Sequence, residues 1–125
     1  MPEVKPAPVV EAPKPQPVVT RSAPVGCEPY RSLVSQYNWN VQIAMAVMQA
    51  ESGCNPASVG DTRPINGLLA PSCGLFQIRT LKGRPSCEAL KDPATNVEWA
   101  YKVYTGRGSF KPWSVFTNGK YLKYL

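Results

Sequence analysis

Apolar and proline positions divide the chain into segments of different character. Residues 1–24, MPEVKPAPVVEAPKPQPVVTRSAP, hold seven of the fourteen prolines and no aromatic residue. Proline fixes φ and removes a backbone donor, so this stretch can neither run a helix nor build a core. It predicts a disordered proline-rich linker over 1–25, with a folded domain over 26–125. In EPYRSLVSQY, Pro29 stands where a helix begins, and Leu33, Val34 and Tyr37 share a face. Asn38 or Asn40 then caps the run NVQIAMAVMQAE, whose apolar residues surround most of the circumference. Such a helix must be buried on most sides, which makes it the central helix, and Ser52-Gly53 ends it. Residues 54–73, rich in Pro, Gly, Asn and Ser, predict a long ordered loop, and GLFQI (74–78) a short strand or turn. Asp92 caps a further helix with Pro93 in its first turn, running ATNVEWAYKVY to near Gly106. In the tail, Asn118-Gly119 is a hairpin signal, but Tyr121, Leu122, Tyr124 and Leu125 suit a closing helical turn, which is preferred. The fold class expected is mainly α, of the α+β kind, with a minor strand or hairpin element.

Composition prunes the chemistry. The 125 residues suffice for one domain with a modest core. With no histidine, neither a Ser-His-Asp nor a Cys-His apparatus can be built, and the usual zinc ligand sets are incomplete. The four cysteines are too scattered for a zinc site and read as two disulfides formed in an oxidising compartment. The sequence does not choose among the three pairings; Cys54 with Cys73 and Cys27 with Cys87 is preferred, because it would clamp the loop after Glu51. The net charge of +6 suits an anionic partner such as a bacterial wall, and no basic run or RNA-binding motif accompanies it. No metal and no cofactor is expected. The protein is expected to be a monomer, exported to the cell exterior, periplasm or wall, with its export segment outside this chain. No membrane insertion and no nucleic-acid partner is expected.

Carboxylates must therefore carry any catalysis, and six lie in the folded part. Asp92 is a cap and Glu28 sits in a first helical turn. Glu88 and Glu98 lie among polar neighbours, while Asp61, in VGDTRP, can pair with Arg63 or line a groove. Glu51 differs, because it ends a long apolar helix. Burial and the negative end of the helix dipole both disfavour its charged form and raise its pKa. A carboxyl that keeps its proton near neutral pH can deliver it to a leaving oxygen, the task of the general acid in glycoside cleavage.

AESG after an apolar helix, then GLFQI, then DPATNVEWAYKVY resembles the lysozyme-like transglycosylase family, which includes soluble lytic transglycosylases and goose-type lysozymes. The resemblance covers about residues 27–116. It implies a lysozyme-like fold with a substrate groove, and peptidoglycan as substrate, cut between N-acetylmuramic acid and N-acetylglucosamine. Glu51 would be the catalytic acid and base. Ser52 would hydrogen-bond near the scissile sugar, Gln77 would meet the saccharide, and Gly74 and Leu75 would bring that backbone to the groove. Phe76, where methionine is commoner, would form an apolar wall. Asn96 would anchor sugar or orient the catalytic region. Tyr101 or Tyr104 would point toward Glu51 or sugar; Ala100 stands where the family often has glycine, so the tyrosine register can slip. Trp99 and Trp113 read as packing residues. A hydrolase would need a second carboxylate, for which Asp61 is the candidate. Without one, Glu51 would act alone and give a 1,6-anhydro product, the route slightly preferred. The alternative from another class is a non-catalytic glycan-binding or assembly module.

Overall fold

The computed structural model describes residues 26–61 and 69–125; the expected linker and part of the loop after Glu51, including Arg63, lie outside them. The chain opens with a 3-10 turn, Glu28–Tyr30, that runs into a short helix α1, Arg31–Val34. The central helix α2 spans Val41–Ser52. Asn40 rather than Asn38 caps it, its Oδ1 accepting from the Ile43 N–H at 2.9 Å. Gly53, at φ +64, reverses the chain at its end. Five consecutive residues of α2, Ala44 to Met48, are buried, as an all-round apolar helix requires.

Three two-residue strands follow: β1 (Val59–Gly60), β2 (Ser72–Cys73) and β3 (Ile78–Arg79). They form an antiparallel sheet in that order, Gly60 opposite Ser72 and Ser72 opposite Arg79. The expected loop over 54–73 thus contributes two strands, and GLFQI is a tight turn entering the third. Ser86 caps α3 (Cys87–Leu90), and Asp92 caps α4 (Pro93–Arg107), its carboxylate accepting from the Thr95 N–H at 3.0 Å. Helix α4 runs one residue past Gly106, and Gly108 takes φ +80 at its end. Helix α5 (Ser114–Thr117) and a 3-10 turn over Lys120–Tyr124 close the chain, the turn packing on α2. The Asn118-Gly119 hairpin does not form. The architecture is a mainly α, α+β fold.

The disulfides differ from the preferred pairing. Cys27 joins Cys54, and Cys73 joins Cys87, with Cα–Cα distances of 5.2 and 5.5 Å. The reversal at Gly53 carries Cys54 back to the entry of the first 3-10 turn, while Cys73 on β2 meets the first residue of α3. The loop after Glu51 is therefore tied to the N-terminal turn instead of to the sheet.

One buried amide joins the sheet to the helices. Asn96, in the first turn of α4, is 0% exposed. Its Nδ2 donates to the carbonyls of Cys73 at 2.8 Å and Leu90 at 2.9 Å, and its Oδ1 accepts from the Phe76 N–H at 2.8 Å. Both amide hydrogens thus have acceptors, which fixes its orientation. The turn between β2 and β3 is buried, so its other polar groups also need partners. The Gly74 N–H donates to the Ser58 carbonyl at 2.8 Å, and Ser52 Oγ donates to the Leu75 carbonyl at 2.6 Å. Trp113 Nε1 donates to the Phe76 carbonyl at 2.8 Å. Gly74 takes φ +84 against the Asn96 amide and the Leu90 carbonyl, leaving no room for a Cβ. Around this turn Met48, Leu75, Phe76, Leu90 and Val97 are fully buried in the core.

Asn96→Ala leaves the buried Phe76 N–H unpaired and takes the amide donor from the Leu90 and Cys73 carbonyls. It should lower stability by about 3 kcal/mol or more in urea unfolding. A loss below about 1 kcal/mol would show that the turn does not depend on this amide.

Candidate active site

Helix α2 ends at a groove of about 450 Å³, and Glu51, in its last turn, lines it. Asp61 faces the same groove from the end of β1. The sheet fixes that second carboxylate, because β2 and β3 place Ser72 and Arg79 opposite one another beside it. Asp61 accepts from Ser72 Oγ at 2.6 Å, and Arg79 Nη1 lies 3.5 Å from its Oδ2. Asp61 takes φ +52, a left-handed conformation aspartate tolerates better than most residues. The expected alternative partner Arg63 lies outside the described residues.

Glu51 is half-buried, and among the described residues it has no ion-pair partner. Its pKa is pushed up from the usual 4.5 to about 7. Burial is the larger cause and the negative charge of Asp61 the second. A substantial part of the population therefore carries the proton at neutral pH, as a general acid requires.

Gln77 lines the groove at φ +52. Its Nε2 donates to the carbonyls of Ser58 at 3.1 Å and Gly74 at 2.9 Å, which fixes the direction of the amide. A side chain on Gly60 would meet Gln77 Oε1 at 2.7 Å, so that glycine makes room for it.

The other expected contacts sit elsewhere. Phe76 is 0% exposed and packs between Trp39 and Trp113, so its ring is core and cannot wall a groove. Ser52 donates to the Leu75 and Met48 carbonyls, bracing the end of α2 against the turn. Gly74 and Asn96 are closed off from solvent and hold that turn; of the two roles expected for Asn96, the positioning one matches its geometry. Tyr101 stacks on Tyr37, with its hydroxyl 3.5 Å from the Asn38 carbonyl, near the opposite end of α2 from Glu51. Tyr104 packs on Phe110 and Trp39. The α4 side chain that reaches the groove is Val103, two positions and thus about 200° round the helix from Tyr101. Trp113 is a packing residue, as expected, with one edge at the groove.

Groove residues that the sequence did not single out include Ser72, Ile78, Arg79, Leu81, Arg84 and Val103. Only the strand register brings Ser72 and Arg79 to Asp61, and two-residue strands leave no alternation to read. Among the described residues no cluster of three or more potential metal ligands occurs, and no helix is long and apolar enough to cross a membrane.

The raised pKa has a consequence for stability. Glu51 binds its proton more tightly folded than unfolded, so its favourable contribution is complete below about 4.5 and is lost as pH rises through about 7. Glu51→Gln removes the need to bury a charge. The variant should be more stable than the parent at pH 8, in thermal or urea unfolding, and the gain should vanish near pH 4. Equal gains at both pH values would contradict the raised pKa.

A family profile described as a lysozyme-like domain matches residues 34–115, which take in α2, the sheet, α4 and the groove with Glu51. No curated protein and no solved structure matches the chain. From this match, and from the fold that carries it, the chain belongs to the lysozyme-like domain family.

Proposed function

We propose that the protein cleaves the β-1,4 bond between N-acetylmuramic acid and N-acetylglucosamine in peptidoglycan, with Glu51 as the acid and then the base. The observation that carries this reading is a carboxyl held at about 7 at the edge of a sugar-sized groove in a lysozyme-like domain. Protonated Glu51 gives its proton to the glycosidic oxygen as the bond to the anomeric carbon breaks. The carboxylate left behind faces the positive charge that develops there. It then takes the proton of the muramyl C6 hydroxyl as that oxygen bonds to the anomeric carbon. The product is a 1,6-anhydro sugar, and Glu51 ends protonated as it began. Asp61 has a supporting part, since its negative charge helps keep the proton on Glu51. Residues 1–25 serve as the spacer on which the domain is carried. The two disulfides suit an oxidising compartment outside the cytosol.

Hydrolysis, with Asp61 activating water, is the second reading, favoured by the presence of both carboxylates in one groove. It ranks second because Asp61 already accepts from Ser72 and faces Arg79, so its carboxylate is engaged by protein partners. A module that only binds glycan has no use for a protonated acid at the groove, and ranks behind both.

Glu51→Gln keeps the shape and removes the proton, and should reduce release of soluble fragments from purified peptidoglycan by about 10²–10⁴-fold. Activity near the parent level would rule out Glu51 as the acid. Mass spectrometry of the products separates the two chemistries, because anhydro and reducing ends differ by one water. Asp61→Asn should leave the enzyme active with its alkaline limb moved to lower pH, since the neighbouring charge is gone. Complete loss of activity in that variant, with reducing ends from the parent, would establish the hydrolytic route.

A further inference from the structure

The groove continues beyond the carboxylates. Arg84, Val103 and Pro112 line both the Glu51 groove and a neighbouring pocket of about 370 Å³, so the two adjoin across these residues. The outer pocket is bounded by Trp99, Lys102 and Arg107 along α4 and contains no acid in its lining. Three cations therefore converge on it. Arg84 Nη1 makes a long contact of 3.4 Å with the Arg79 carbonyl, which leaves the rest of the guanidinium free to bind. Lys102 lies 4.4 Å from the centre of the Trp99 ring and 3.6 Å from Glu98 in a half-exposed pair of the kind that contributes little. Arg107, in the last turn of α4, has no ion-pair partner among the described residues. The helix dipole favours a cation there, but it does not account for Arg84 approaching from the loop before α3.

Resting on the reading of the groove given above, we propose that the outer pocket seats the free carboxylates of the peptide branch carried by the muramyl sugar, while the inner groove holds the sugars. The branch leaves C3 of the same muramyl sugar whose C1 bond is cut, so adjoining pockets can hold both parts of a single substrate. Guanidinium groups offer forks that match carboxylates in two-point contact, and Lys102 adds a point charge. Val103 and Pro112 give the apolar floor between the two ends. The domain would then prefer glycan strands that still carry peptide to strands that have lost it.

The full chain is assayed on peptidoglycan with its peptide branches and on glycan strands stripped of them by an amidase. The parent should show a KM roughly fivefold to tenfold lower on the branched polymer, and Lys102→Gln/Arg107→Gln should bring that ratio close to one. Cleavage of both polymers with equal KM by the parent would overturn the inference and leave the proposed function standing. A binding measurement decides the matter even if neither polymer is cut, an outcome that would sink the proposed function instead. Soluble peptide-bearing disaccharide is titrated against labelled protein, with the Trp99 indole signal as reporter, beside the same fragment with its carboxyls amidated. Movement of Trp99 by the free acid at roughly fivefold to tenfold lower concentration supports the carboxylate seat. Equal movement by both, or displacement of the free acid by equimolar inorganic phosphate, would overturn it, the latter pointing to a phosphate-bearing polymer.

Discussion

The three hydrogen bonds of the Asn96 amide are the constraint on which the site depends. A turn buried between a sheet and two helices would leave polar backbone groups in a dry interior, where each unpaired group costs about 1–3 kcal/mol. Asn96 reaches both limbs of that turn, the Cys73 carbonyl and the Phe76 N–H, and ties them to the end of α3 at Leu90. Ser52 and Trp113 take the Leu75 and Phe76 carbonyls. The two ends of the turn are thereby fixed: β2 presents Ser72 to Asp61, and Gln77 enters the groove. The geometry around Glu51 is inherited from a hydrogen-bond network in which Glu51 takes no part.

That arrangement explains how an acid can be held at about 7 without a metal or histidine beside it. The same helix that supplies the core ends at the groove, so its last turn is half-buried by construction. Asp61 adds a like charge whose position is set by the sheet. Arg79 beside Asp61 limits that charge, and burial remains the larger cause of the shift. The groove thus pairs a carboxyl inclined to hold its proton with a carboxylate held in place by a hydroxyl and a guanidinium. Environments that separate the behaviour of two acids in this way are what glycoside-cleaving sites use.

Much of this was legible in the sequence where a local rule operates. The caps at Asn40 and Asp92, the burial of α2 all round and the solitary position of Glu51 follow from side-chain chemistry within a few residues of each element. What escaped was set by long-range pairing. Strands of two residues carry no readable alternation, so β1 and β2 looked like loop, and with them went the Asp61–Ser72–Arg79 group. The cysteine pairing depended on the reversal at Gly53, which sends Cys54 toward Cys27. On α4, Tyr101 and Val103 differ by about half a turn, and only packing against Tyr37 and Trp39 decides which faces the groove. The resemblance marked Ser52, Phe76 and Asn96 as site residues, yet their side chains hold the turn or fill the core instead of lining the groove.

The central claim is that Glu51 keeps its proton into the neutral range because of where α2 ends. Titration of the Glu51 side-chain carboxyl by carbon-detected NMR, with Glu51→Gln to assign the signal, tests it directly. The account predicts a midpoint near 7; a midpoint at the usual 4.5 would contradict it.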